Sequence, residues 1–176
     1  LAEVNRARQS PRDYADTLRD VFGSMDATGV YLRGTRRIAT VEGRAAVDEA
    51  LRFLSSAAPV PPLQMASCLN LAAARHAKAK GSTGSSGHFG ATGRDPSERA
   101  SFLTAGPVAC SENIAYGYDD ATDMVAALIV DDSVPSRGHR NNIFDPRMKS
   151  FGSGRAAHLL RESIDVHVFC LDDIRG

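Results

Sequence analysis

Two histidines in this chain stand in unusual local settings. His88 lies between glycines in Gly87-His88-Phe89-Gly90, where neither a helix nor a steady strand is expected. His139 follows Gly138 within Arg137-Gly138-His139-Arg140-Asn141-Asn142, so the second imidazole is embedded in cations. Two acidic segments accompany them. Ser111-Glu112-Asn113-Ile114 sets a carboxylate beside an amide just ahead of an apolar stretch, and Asp131-Asp132 lies shortly upstream of His139. Two imidazoles and two acids are a donor set that chelates zinc, or a general acid/base group. The same residues also have structural uses: Glu112 and Asn113 as backbone caps, His139 as a hydrogen-bond partner of a carboxylate. The residues alone leave both readings open.

Better-defined catalytic patterns are absent. There is no His-Glu-x-x-His, no Cys-x-x-Cys, no Gly-x-Ser-x-Gly and no dinucleotide fingerprint. The Gly81 to Gly87 stretch lacks the Lys-Thr ending of a phosphate loop and reads as a flexible connector. Ser111 adjoins Glu112, but neighbouring side chains diverge, so it is a poor nucleophile candidate. His76 falls on the apolar face of a helix and reads as a packing residue. His158, near a hairpin turn, and His167, on a strand, receive no role. Arg140 either pairs with Asp131 or Asp132 or faces solvent. Cys68, Cys110 and Cys170 are too few for a disulfide framework. One bridge with a free thiol and three buried thiols both stand, a Cys110–Cys170 bridge requiring their segments to lie side by side.

The elements that must position these residues are legible in part. Ser10-Pro11 restarts the chain after a short first helix, with Ser10 as N-cap and Tyr14, Leu18, Val21 and Phe22 as the next helix's apolar face. Gly23 to Thr40 carries three glycines and the cations Arg33, Arg36 and Arg37, and reads as a solvated loop. A helix resumes near Glu42, with Val47, Ala50, Leu51 and Leu54 on one stripe. Pro59, Pro61 and Pro62 form a stiff connector. The periodicity predicts a helix over 64–80 that Gly81 ends. Asp95-Pro96-Ser97-Glu98 has the form of a capping box. Asp119 or Asp120 caps a further helix through Met124, Ala127, Leu128 and Asp131, apolar almost all round and therefore buried. Alternation of Ile164, Val166, Val168 and Cys170 with polar or aromatic residues marks a strand, paired antiparallel with Phe151 to Ala157.

Composition narrows the function classes. The 176 residues, 43% hydrophobic and 24% charged, fit an ordinary globular chain, taken as a single domain over residues 1–176. Lysine and arginine (21) balance aspartate and glutamate (21), which disfavours nucleic acid as the main partner. Aromatics at 6%, with no tryptophan, weaken stacking-based recognition. No apolar run approaches the ~18 residues of a membrane span. The chain starts at Leu1 without an initiator methionine, which suggests a processed or trimmed product, so a missing signal peptide carries no information.

The string of motifs resembles the CAP superfamily of cysteine-rich secretory proteins, antigen 5 and plant pathogenesis-related 1 proteins, in its bacterial-type branch. The matching pieces are Leu1-Ala2-Glu3-Val4-Asn5-Arg6-Ala7-Arg8, Leu71-Ala72-Ala73-Ala74-Arg75-His76-Ala77, Gly87-His88, Ser111 to Gly117, and Arg137 to Ile143. Their order and spacing cover nearly the whole chain. The resemblance implies an α+β fold, a three-layer α-β-α sandwich with a small antiparallel sheet. It also implies a cleft holding His88, His139, Glu112 and a second acid. That acid in the family is a glutamate three residues after a tryptophan; here Leu128 and Asp131 occupy those positions, and Asp132 competes with Asp131. The implied protein is secreted or periplasmic and binds weakly held Zn²⁺ or another divalent metal through His88 and His139. Its further ligand is an unidentified small molecule, lipid or protein, one lipid reading placing it between the Gly23–Thr40 loop and a helix. The alternative is a peptide or ester hydrolase in which Glu112 and His139 are the catalytic candidates.

Overall fold

The computed structural model describes residues 1–174. In chain order the elements begin with α1 (Ala2–Gln9), α2 (Pro11–Val21), β1 (Val30–Arg33), β2 (Arg36–Ala39) and α3 (Arg44–Ser56). They continue with β3 (Gln64–Met65), α4 (Ser67–Thr83), α5 (Pro96–Ser101) and β4 (Cys110–Tyr116). The last are α6 (Ala121–Val130), α7 (Gly138–Phe144), β5 (Ser150–His158) and β6 (Glu162–Cys170). Helices mixed with two small sheets make an α+β fold. Two compact units divide the residues: Ala2–Pro61 with Asp120–Phe144, and Pro62–Asp119 with Asp145 onward and Leu1. One division falls inside the proline-rich connector.

The first unit is helical. Tyr14, Leu18 and Phe22 of the α2 segment, and Ala46, Val47, Ala50 and Leu54 of α3, are buried, while Val21 and Leu51, expected on the same faces, are only half-buried. Helix α6 is buried at Met124, Val125, Ala126, Leu128, Ile129 and Val130, nearly all round as its composition requires. Asp120 is its N-cap, accepting from the backbone N–H groups of Thr122 (2.8 Å) and Asp123 (3.0 Å). Ser10 occupies the N-cap position of α2, but its side chain makes no capping bond; its carbonyl instead accepts from Tyr14 N–H. The expected loop from Gly23 to Thr40 contains a hairpin, with β1 and β2 antiparallel from Val30↔Ala39 to Arg33↔Arg36. Gly34, at φ 58°, takes the left-handed geometry that a two-residue turn needs. Each strand has four residues and Tyr31 is the one buried hydrophobic among them, too little alternation to read.

The second unit is a four-stranded sheet, β3-β5-β6-β4, with α4 laid on it. β3 is parallel to β5, while β5–β6 and β6–β4 are antiparallel. Leu69, Ala73 and Ala77 of α4 share a core with Ile114 of β4 and Ile164, Val166 and Val168 of β6. The helix sits close because β5 is bare where they meet. A Cβ on Gly152 would lie 2.2 Å from the Leu69 carbonyl carbon, and one on Gly154 2.2 Å from the Ala74 nitrogen. Gly81 does not end α4 as expected. The helix runs to Thr83 and is capped by Gly84 in the left-handed conformation, so part of the supposed flexible connector is helical. Cys110 and Cys170 are register partners on β4 and β6 and form a disulfide, leaving Cys68 as a free thiol.

Candidate functional site

Strand β4 aims Glu112 inward. Side chains alternate along a strand, so Cys110, Glu112 and Ile114 share the face that meets the α4 core. A carboxylate carried on that face is fully buried and must be paired. Arg99, from α5, supplies the pairing charge through Nη2 to Glu112 Oε2, while its Nη1 donates to the His88 carbonyl and, at 3.0 Å, to the Arg94 carbonyl. The α5 start is the expected capping box, with Asp95 accepting from Glu98 N–H and Glu98 accepting in return. His88 brings Nδ1 to 3.0 Å from Glu112 Oε1 on a side chain that is 44% exposed. In a neutral ring, an Nδ1–H donated to the Glu112 carboxylate leaves Nε2 as the nitrogen with a free lone pair.

His76, on the buried face of α4, is also part of this cluster. Its Nε2 lies 3.8 Å from Glu112 Oε1 and 3.1 Å from the Gly87 carbonyl, to which an Nε2–H donates. Burial lowers its pKa, opposed by the attraction of Glu112, and favours the neutral ring. The sequence reading treated His76 as packing alone and missed Arg99 altogether.

The second pair is built where α6 stops. Asp131 is its C-cap residue at φ 55°, in the left-handed region that aspartate tolerates. Its Oδ2 accepts the His139 backbone N–H at 2.8 Å, at the start of α7, and its Oδ1 lies 2.6 Å from His139 Nδ1. Asp132 turns elsewhere and accepts from the backbone N–H groups of Val41 (2.7 Å) and Glu42 (2.8 Å). Arg140 pairs with neither aspartate and does not face solvent. It is buried, donates to Glu49 through both terminal nitrogens (2.6 and 2.8 Å), and reaches the Ile129 and Val130 carbonyls. Arg137 grips Glu42 with two bonds of 2.7 Å, and this guanidinium holds the Glu42 carboxyl at a pKa of about 2. These pairs pin the segment that carries His139.

The structure thus joins His88 to Glu112 in one unit and His139 to Asp131 in the other. Ser111 lies on the opposite face of β4 from Glu112, and its Oγ has no hydrogen-bond partner. Among the described residues, no group of three or more His, Cys, Asp or Glu side chains is arranged to hold a metal.

A profile of the cysteine-rich secretory protein family (CAP) matches residues 1–169. The chain belongs to that family. Comparison with curated proteins returns no significant match. Among solved structures, an extracellular protein containing a SCP domain from Bacillus anthracis is similar at 19% identity and TM-score 0.51, over 66% of this chain and 35% of that one. The chain therefore spans about a third of that protein's length. An outer surface protein from Borrelia burgdorferi is similar at 20% identity and TM-score 0.53, over 63% of this chain and 78% of that one. At such identities the likeness is one of fold. Both neighbours are extracellular or surface proteins by their descriptions, and no helix among the described residues is long and apolar enough to cross a membrane.

Within this CAP chain, Asp131 stands where the resemblance implies a glutamate, yet it reaches His139 with both oxygens. The left-handed turn and the tight entry into α7 offset the missing methylene.

Proposed function

We propose that the chain is an extracellular binding module in which His88 and His139 each present an imidazole ligand to an exchangeable divalent cation such as Zn²⁺. The observation that carries this reading is shared by both histidines: Nδ1 of each ring meets a buried carboxylate, Glu112 or Asp131. A carboxylate on one ring nitrogen fixes the tautomer and raises the basicity of the other, the usual support of a metal-binding imidazole. The donor chemistry therefore fits a borderline cation, with Nε2 as the bonding atom and Glu112 and Asp131 as orienting groups. These imidazoles are fewer than the three protein ligands of most catalytic zinc sites, so affinity is modest and the ion exchanges. A bound cation would supply Lewis acidity and a polarised water.

Calorimetry with ZnCl₂ tests the reading. Saturable binding is expected at neutral pH, lost in His88→Ala plus His139→Ala, and weaker at acid pH because both ligands must be unprotonated. Absence of binding, or unchanged binding in the double variant, overturns it. Ester or peptide turnover lost in both His88→Ala and Glu112→Ala would replace it with the hydrolase reading.

A further inference from the structure

A cavity of about 400 Å³ opens beside α4 and α5, lined by Ala72, Arg75, Arg94, Arg99, Phe102 and Leu103. Three of these six residues are arginines and none is acidic, in a chain whose cations and acids balance overall. Several arginines elsewhere in the fold sit on carboxylates: Arg6 on Glu3, Arg137 on Glu42, Arg140 on Glu49, Arg147 on Asp145. Arg99 too is committed, to Glu112. Arg75 and Arg94, which share this cavity, are not. Both are exposed, and among the described residues neither guanidinium has a carboxylate partner.

Arg94 is nevertheless held in place. Its carbonyl accepts from Gly90 N–H and from Arg99 Nη1, and its guanidinium lies 4.1 Å from the centre of the Phe102 ring. Stacking on an aromatic face orients the planar fork and leaves its edge N–H groups to a ligand. Phe102 is itself 66% exposed, a large apolar surface turned to solvent next to two uncommitted cations. We infer that this cavity binds a small organic acid, its carboxylate on Arg75 and Arg94 and its apolar body against Phe102, Leu103 and Ala72. A guanidinium edge matches a carboxylate in two parallel hydrogen bonds. The cavity volume lies in the range of small-molecule sites, ~300–1,000 Å³. Arg99 also lines the cavity, with its charge already met by Glu112. The apolar half of the lining selects an organic acid over inorganic phosphate, which would leave Phe102 and Leu103 unused.

The site is independent of the metal reading and is tested without metal. Purified protein is titrated with phenylacetate, 2-phenylethylamine and inorganic phosphate, followed by backbone amide shifts. Phenylacetate should bind saturably with a Kd of about 0.1–1 mM, moving the Ala72, Phe102 and Leu103 amides. The amine, of similar size and opposite charge, should not bind. Arg75→Gln with Arg94→Gln should weaken phenylacetate at least tenfold, and Phe102→Ala should weaken it while leaving phosphate unchanged. All three side chains are exposed, so the folded spectrum away from the cavity serves as the control for each variant. No saturable phenylacetate binding, equal binding of the amine, undiminished binding in the arginine double variant, or phosphate binding as tightly as phenylacetate would each overturn the inference.

Discussion

His167 makes folding sensitive to mild acid. It sits on β6 between Asn113 and Ser153 of the flanking strands, its ring 5.2 Å from that of Phe151 and 6.4 Å from that of Phe169. It is buried, and its Nδ1 has no hydrogen-bond partner. Burial pushes its pKa down from the ordinary 6.5 to about 4. Above the ordinary value the ring is neutral in both folded and unfolded chains. Between 6.5 and 4 the unfolded chain takes up a proton that the folded one refuses, so stability falls as pH falls. At pH 5 this difference amounts to about 2 kcal/mol. The perturbation is His167→Leu, a near-volume replacement that removes both the titration and the orphaned nitrogen. Urea unfolding of both proteins at pH 7 and pH 5 gives the measurement. The parent should lose about 2 kcal/mol more than the variant between the two conditions. His76, whose pKa burial also lowers, adds a loss of the same sign. Asp165, whose pKa burial raises, acts in the opposite sense. Both remain in the variant and cancel in the comparison. An equal pH-dependent loss in the two proteins would refute the argument.

Three further outcomes follow from packing and chain geometry. Replacing Cys110 and Cys170 by serine should cost roughly 4 kcal/mol from the freed loop, given their 60-residue separation; urea midpoints unchanged by the replacement would show that β4–β6 pairing constrains the unfolded chain without the bond. Gly154→Ala should cost about 3 kcal/mol, because the new Cβ would lie 2.2 Å from the Ala74 nitrogen on α4; a thermal melt indistinguishable from the parent would mean that helix and strand can separate freely. Asp120→Ala should cost about 1 kcal/mol through loss of the α6 cap, and Asp120→Asn much less; equal denaturant midpoints for the two variants would assign the effect to charge rather than to the capping bonds.

Elements with a strong period or a specific end signal were legible, and those made by tertiary contact were not. The Asp95–Glu98 box, the Asp120 cap and the β5–β6 hairpin each rest on local chemistry, so short windows of sequence carry them. The β1–β2 hairpin rests on one buried residue, Tyr31, between a half-buried Val30 and an exposed Leu32, and offers no alternation to read. Gly81 looked like a helix stop because glycine is a common C-cap. In the fold it is selected by space: a Cβ there would lie 2.1 Å from the Ala157 carbonyl oxygen. The disulfide depended on register, and register depends on partners distant in the chain.

The two carboxylates of the candidate site reach their histidines by different routes. Asp131 is placed by the termination of α6, and only the fold separates it from Asp132, which turns to the Val41 and Glu42 backbone. Glu112 is placed by strand alternation, which puts it on the same buried face as Cys110 and Ile114. That alternation carries a signal of its own. A carboxylate on an apolar strand face requires a cation, and a short capped helix just upstream carries Arg99. The requirement also accounts for the arginine cavity. Once Arg99 is drawn inward to Glu112, its outer neighbours Arg75 and Arg94 have no acid of their own, and the unbalanced charge is left facing solvent beside Phe102.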